Sequence, residues 1–299
     1  MKSSNVVARF LLTLQVAVFL AGPVFAATGE AVQKRISAQL LAGRPLVVHA
    51  TVVLSDGSTK PDGNPWWGGP NGLLTVFVKK SGWKLLARPK PSQPGQLERV
   101  VLAKTITREG RDAEVYLVAD AWEEGRIQEA LVTFYAHARG ASPEKVVAEA
   151  GSQSLDLQAG GDSVITAYLG RNGMEDVEPT ETDTYNISPE EEWLRRAAAR
   201  PDAAFGVVPK EGGDRPISAV VLCSYSKAYF LDKLRKEGAH PLLLTLAALT
   251  PEAYALEASI TAWVGNKPVA EVRNAGAAVI AKAMGLSRDV AREVLWSGQ

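Results

Sequence analysis

Long runs of consecutive apolar residues, separated by turn residues and by segments with helical spacing, dominate the pattern of this chain. Residues 45–54 (PLVVHATVVL) and 113–122 (AEVYLVADAW) are almost continuously apolar, which is typical of strands that are buried on both faces of a sheet. Three later runs have the same character and lie at 163–170, 217–223 and 240–249. The pattern therefore predicts five core strands.

Segments with helical periodicity lie between and after these runs. Residues 123–140 repeat apolar side chains at helical spacing and end at a glycine. The segments 188–200 and 250–265 begin with Ser-Pro and Thr-Pro, a capping residue followed by proline at the first helical position. Residues 226–238 and the tail 269–296 also read as helical. The alternation predicts an α/β fold, a three-layer sandwich with a mainly parallel central sheet.

The first 26 residues have the organisation of a secretory signal peptide. Lys2 and Arg9 precede the apolar run 10–22, which is too short to span a bilayer comfortably, and Val24-Phe25-Ala26 matches a small-residue cleavage site. We expect cleavage there and a periplasmic or extracellular protein. An uncleaved amphipathic anchor is the alternative. The remaining residues, 27–299, are predicted to form a single α/β domain with C-terminal helices.

Composition and motifs exclude several classes of function. The 33 Lys and Arg residues balance 33 Asp and Glu residues, so no net charge attracts nucleic acid. No second long apolar segment predicts a membrane span after signal cleavage. The single cysteine excludes an internal disulfide and a thiolate metal cage, and the three histidines lie far apart in the sequence. Nucleotide-binding, metalloprotease and serine-hydrolase motifs are missing. We therefore expect neither a metal nor a cofactor.

The carboxyl ends of the predicted parallel strands are the place where a site is expected, because ligands of such sheets bind at that edge. Asp120 ends one strand, the sequence Gly-Arg-Asn-Gly follows another, and the only cysteine follows the next. Asp120 has an alternative role as the cap of the following helix. The residues predicted to gather in one cleft are Asp120, Gly170, Arg171, Asn172, Gly173 and Cys223.

Two of these segments, YLGRNGMED (168–176) and VVLCSYS (220–226), resemble the caspase–haemoglobinase type of cysteine peptidase. In that type one strand ends in a His-Gly loop, a later strand ends in the nucleophilic cysteine, and the two loops meet at one edge of the sheet. Further segments, among them NPWWGG and VYLVADAW, resemble a group of exported bacterial proteins of unknown function whose pattern is GH-x-G where this chain has GRNG. The resemblance implies a caspase-like fold.

The departure at position 171 changes the expected chemistry. Histidine can take the proton of a thiol and return it to a leaving amine, whereas arginine stays charged and can do neither. We therefore expect an exported caspase-like domain that lacks peptidase activity and acts as a binding or scaffold protein. Arg171 would offer its guanidinium to a carboxylate-bearing ligand or peptide. Glu175 and Asp176 are alternative partners for Arg171.

An active cysteine peptidase or acyl-transfer enzyme is the alternative. Cys223 would attack, a histidine from elsewhere would act as the base, and backbone amides near Gly173 would hold the oxyanion. His49 lies mid-strand and is expected to bond within the core, His137 is expected at the margin of a helix, and His240 begins a strand at the wrong end of the sheet. An inert, buried Cys223 and a small-molecule site at the same strand ends are further interpretations.

Overall fold

Eight of the ten strands in the computed structural model form one central sheet. The structure describes residues 26–55, 60–150, 153–173, 215–248 and 252–298. The strands are β1 (Leu46–Val53), β2 (Lys84–Ala87), β3 (Gln96–Arg108), β4 (Arg111–Trp122), β5 (Pro143–Ala150), β6 (Gln153–Gly160), β7 (Ile165–Gly170), β8 (Ser218–Leu222), β9 (His240–Thr245) and β10 (Leu295–Ser297). The helices are α1 (Gly29–Leu41), α2 (Ile127–Ala138), α3 (Ser226–Lys236), α4 (Glu252–Val264), α5 (Val269–Met284) and α6 (Arg288–Glu293).

The order of the strands sets the position of the predicted site. The large sheet has the order β10-β9-β8-β7-β1-β4-β3-β2, and its five central strands, from β9 to β4, are parallel. The outer strands β10, β3 and β2 pair in the antiparallel sense. After β1 the chain forms β2 at the far edge, returns through β3 to β4 beside β1, and then crosses to the other side of β1 at β7. The carboxyl ends of β1 and β7 therefore flank the point at which the strand order reverses, where such sheets bind ligands.

Successive residues of the central strands face two different layers. Val48, Ala50 and Val52 of β1 belong to the apolar cluster that includes side chains of α1, α4 and α5. Val53 belongs to a cluster with side chains of α2 and α3, and Val47 to a third cluster with the β5–β6 hairpin. The fold is therefore α/β with a large, mostly parallel sheet covered on both faces, and each predicted core strand is confirmed.

The main differences from the predicted elements are a helix and a hairpin. The pattern did not predict α1, nor the two-stranded sheet of β5 and β6, which carries too few apolar residues to form a clear periodicity. Strand β3 was not among the predicted core strands, but its centre, Val100–Leu102, is buried. Residues 1–25 of the predicted signal peptide and the predicted helix at 188–200 lie outside the described residues. None of the described helices is long and apolar enough to cross a membrane.

The end of β7 is a position that only glycine can occupy without a rearrangement. Gly170 has φ +102°, and a Cβ atom there would lie 2.1 Å from the carbonyl oxygen of Val53. Because that oxygen belongs to the backbone of the paired strand β1, no side-chain rotation can relieve the clash. The sharp departure of the chain from β7, which positions Arg171, therefore depends on this glycine.

We predict that Gly170→Ala destabilises the protein much more than a matched change at Gly110. Gly110 also has positive φ, +77°, but a Cβ atom there meets nothing within 4 Å, so Gly110→Ala adds only backbone strain of roughly 1–2 kcal/mol. Urea unfolding of both variants measures the difference in the free energy of unfolding. Equal losses would show that β1 and β7 do not approach so closely.

Candidate functional site

The loops that follow β7 and β8 are in direct contact. The Asn172 side chain, which is buried, donates from Nδ2 to the carbonyl oxygen of Ser224 at 2.7 Å. The Tyr168 hydroxyl donates to the carbonyl oxygen of Arg171 at 2.6 Å. Gly173 packs on α2, where a Cβ atom would lie 2.7 Å from Cγ1 of Ile127. Three of the predicted residues, 171 to 173, are therefore held at the same edge as the loop that follows Cys223.

The Arg171 side chain lies at the surface of this edge of the sheet. Its side chain is 46 % exposed and forms an ion pair with Glu124, which lies in the short 3₁₀ turn after β4. Strand β4, which precedes this turn, is on the opposite side of β1 from β7. The ion pair therefore bridges the point where the strand order reverses. Glu175 and Asp176, the partners considered from the sequence, lie outside the described residues.

Cys223 faces the core at the same level of the sheet. The residue is 0 % exposed and belongs to the apolar cluster that contains Val53, Trp122 and Tyr168. Its carbonyl oxygen accepts a hydrogen bond from the Thr245 hydroxyl of the neighbouring strand. A thiol in such surroundings is protected from solvent and from substrates, which fits the interpretation of Cys223 as an inert core residue.

The strand register places His49 far from this thiol. His49 is opposite Thr166 in β7, which is opposite Ala219 in β8, and Cys223 follows Ala219 by four residues. Four residues along the strands and two strands across correspond to separations of roughly 13 Å and roughly 10 Å between backbone positions. His49 is therefore well beyond hydrogen-bond reach of the sulfur.

The other two histidines are no better placed. His240 is opposite Ser218 at the amino-terminal start of β9, as the sequence indicated. The expectation that His137 lies at a helix margin was wrong, because its side chain is 1 % exposed and its ring contacts that of His49, with the centroids 4.5 Å apart and the ring planes tilted by 41°. All three histidines of the chain are described, and none is positioned to act as a base for Cys223.

Asp120 does not share the edge with Arg171, which corrects its predicted place in the cleft. Asp120 is opposite Thr51 in β1, which is opposite Tyr168 in β7, so it lies two strands away from Gly170 and two residues lower. The residue is 1 % exposed. The alternative role as a helix cap is also wrong, since α2 begins only at Ile127 and has no side-chain cap.

Asp120 is instead the centre of a buried hydrogen-bond network. His49 Nε2 donates to its Oδ2 at 2.9 Å and Gln96 Nε2 to the same oxygen at 3.0 Å. Arg99 donates from Nε to Oδ1 at 2.6 Å and from Nη2 to Oδ2 at 2.8 Å. Four N–H donors from β1 and β3, the two strands beside β4, thus satisfy one carboxylate, which is what a buried charge requires.

The network also fastens the β5–β6 hairpin to the large sheet. Arg99 forms an ion pair with Glu144 of β5 at 2.5 Å, and the Gly160 amide of β6 donates to His49 Nδ1 at 3.0 Å. Because Nδ1 accepts this bond, the imidazole proton resides on Nε2, and the ring is neutral. Both nitrogens of His49 are therefore engaged, and the ring is unavailable as a base unless the hairpin detaches.

The charges of the network control its titration. Burial alone would raise the pKa of Asp120, but hydrogen bonds from Arg99 and His49 outweigh it and lower the pKa to about 2. Burial lowers the pKa of His137 well below 6.5. No described residue forms a hydrogen bond with Nδ1 of His137. His137 is therefore neutral in the folded protein at physiological pH.

Comparison with known proteins found no match: no family model fits the chain, and no curated protein or solved structure is significantly similar to it. Among the described residues, no group of three His, Cys, Asp or Glu side chains could hold a metal ion. The caspase-like resemblance therefore stays a prediction from the sequence. The geometry of the edge formed by β7 and β8 carries the functional argument.

We predict that His137→Gln reduces the acid sensitivity of the fold. Because the pKa of His137 is lower in the folded state than in the unfolded chain, the unfolded chain binds the proton first, and stability falls as the pH drops below about 6.5. Urea unfolding at about pH 7 and about pH 4.5 should show a smaller loss for the variant than for the wild type. Equal losses would contradict a buried neutral His137.

We predict the opposite pH dependence for Glu252, the first residue of α4. Burial raises its pKa from 4.5 to about 8, so its stabilising contribution is complete below pH 4.5 and is lost as the pH rises through 8. Glu252→Gln should therefore unfold at higher urea concentration than the wild type at about pH 8.5, with little difference at about pH 4.5. A pH-independent effect of the substitution would contradict the burial of an ionisable carboxyl.

Proposed function

We propose that this chain is an exported caspase-like domain without peptidase activity, which binds a carboxylate-bearing ligand or peptide at the edge formed by β7 and β8. One observation carries the proposal. Among the described residues of that edge, Arg171 offers a charged guanidinium to solvent, whereas the Cys223 thiol is buried and none of the three histidines lies beside it.

The strand order supports the caspase-like part of the proposal. The resemblance requires positions 171 and 223 to follow neighbouring parallel strands whose loops meet. Strands β7 and β8 are adjacent and parallel, and the bond from Asn172 to the Ser224 carbonyl joins their loops. A likeness of topology does not assign an activity by itself, so the chemistry of the edge decides between binding and catalysis.

Arginine at position 171 favours binding over proton transfer. A guanidinium has five N–H donors in a planar fork that matches a carboxylate, and it does not release a proton at physiological pH. Glu124 already shows that a carboxylate fits this guanidinium. A ligand carboxylate would take the place of Glu124 on the guanidinium, and because Arg171 is 46 % exposed its ion pair contributes little free energy.

The peptidase alternative needs a thiol that substrate can reach and a group that moves its proton. Cys223 is 0 % exposed. The register places His49 in the middle of β1 and His240 at the start of β9, and His137 lies on α2 against His49. Restoring histidine at position 171 would supply only one of the two requirements. We therefore expect that Arg171→His alone does not produce cleavage of a peptide library.

A binding assay with matched variants tests the proposal. The probes are a library of acidic peptides and the same peptides with each carboxylate replaced by an amide. Arg171→Gln should weaken the binding of the acidic set by several-fold, and Glu124→Gln should strengthen it because a competing carboxylate is removed. Arg235→Gln, on α3 and 52 % exposed, is the control of similar exposure.

Two results would contradict the proposal. One is that Arg171→Gln and Arg235→Gln weaken peptide binding equally, or that the acidic and amidated peptides bind equally well. Either outcome shows that the peptide carboxylate is not bound by Arg171 at this edge. The other is cleavage of the library by the wild-type protein that is lost in Cys223→Ala, which would establish the peptidase alternative.

A further inference from the structure

A groove with a volume of about 520 Å³ lies at the opposite, amino-terminal edge of the sheet. It is formed where the chain enters β1, β7 and β8, so it is separate from the edge that carries Arg171. The charged residues that line it are Arg35, Arg44, Asp156, Asp162 and Arg215, and the amides of Gln39 and Gln158 line it as well. Three arginines face two carboxylates, which leaves an excess of positive charge.

Arg35 is fixed in place by backbone oxygens and not by a carboxylate. Its Nη1 donates to the carbonyl oxygens of Ser163 and Pro216 at 3.0 and 2.9 Å, and its Nη2 donates to that of Asp162 at 2.6 Å. These bonds use three of the five guanidinium N–H groups. The remaining two, on Nε and Nη2, have no partner among the described residues. The positive charge of Arg35 is thus positioned but not neutralised.

Two neighbours of Arg35 have unused hydrogen-bonding capacity as well. The Arg44 side chain is exposed and forms no ion pair or hydrogen bond with any described residue. The Gln39 side-chain oxygen is buried, and nothing in the described part of the chain donates to it. Because an amide can rotate to exchange its oxygen and nitrogen, Gln39 can present donors to the groove. An unsatisfied amide and an unpaired guanidinium in one groove indicate a polar ligand.

The acidic residues of the groove do not cancel the positive charge. Asp162 forms an ion pair with Arg215, and Asp156 pairs at 2.7 Å with Lys145, which lies outside the groove. Burial lowers the pKa of Arg35 to about 10, and repulsion from Arg215 and Arg44 adds to the effect. The three guanidinium groups therefore interact unfavourably with one another in the empty groove, and an anion among them would relieve this repulsion.

We infer that this groove binds a small oxyanion, a carboxylate or phosphate group, between Arg35, Arg44 and Arg215. Guanidinium groups match the geometry of both oxyanions through paired hydrogen bonds. Ala38, Pro45 and Pro216 supply an apolar wall beside the charges, and the volume is in the range of small-molecule sites. The ligand class is therefore a small organic acid or a phosphate, and the inference is independent of the function proposed for the Arg171 edge.

Calorimetric titration of the chain from residue 27 onward with inorganic phosphate, and separately with succinate, tests the inference and distinguishes the two oxyanions. Sodium chloride keeps the ionic strength constant, since charge interactions are screened by salt. Saturable binding of at least one probe is expected. Arg44→Gln and Arg215→Gln should each weaken it by about tenfold, the effect of losing one charge-assisted hydrogen bond.

Two further variants make the test specific. Arg288→Gln removes an exposed arginine of α6 remote from the groove and should leave the binding unchanged. Asp162→Asn should tighten the binding several-fold, because it removes a competing carboxylate, whereas damage to the fold would weaken it. The inference is overturned if neither probe binds saturably, if the two groove arginine variants bind like the wild type, or if Arg288→Gln weakens binding as much as they do.

Discussion

The parallel pairing of β1 with β4 on one side and β7 on the other is the constraint on which the rest of the structure depends. All eight residues of β1 are buried, so its register with both neighbours is fixed by two packed layers. This register brings Arg171 and the Cys223 loop to the carboxyl edge. It also brings the entrances of β1, β7 and β8 together at the amino edge, where the arginine groove forms. The two edges are different chemical surfaces of one sheet.

The same register aligns the buried polar network of His49, Arg99 and Asp120, which lies between these two edges. His49, Arg99 and Asp120 interrupt apolar strands, and each would be costly to bury alone. Together they satisfy one another and hold Glu144 and Gly160 of the hairpin. Such a network favours one relative position of the hairpin and the large sheet. Loss of one member would leave a buried charge unpaired, which is strongly destabilising. Considered alone, the hydrogen-bonded His49 and Asp120 resemble a catalytic pair. Both are buried, and both nitrogens of His49 and both carboxylate oxygens of Asp120 accept or donate hydrogen bonds within the network, which indicates a structural role.

The sequence could predict the parts of the fold that depend on local apolar density. The five core strands follow from continuous apolar runs, and the tail predicted as helical contains α5 and α6. The hairpin of β5 and β6 could not be predicted, because its apolar residues are few and gain burial only from the large sheet. His137 was misplaced for a related reason: α2 is buried on nearly all sides under the hairpin and α3, so it has no polar margin. Asp120 was taken as a strand end although the apolar run continues to Trp122, where β4 also ends.

The central claim is that the Cys223 thiol, which follows β8, is an inaccessible core group and not a nucleophile. Arginine occupies position 171, and no histidine is placed to accept the thiol proton. The rate at which a thiol reagent modifies Cys223 in the folded chain, compared with the urea-unfolded chain, tests this claim most directly. The account predicts a native rate at least about a hundredfold lower, since modification must wait for local opening of the core. A native rate equal to or above that of the unfolded chain would show an accessible, activated thiolate and would contradict the account.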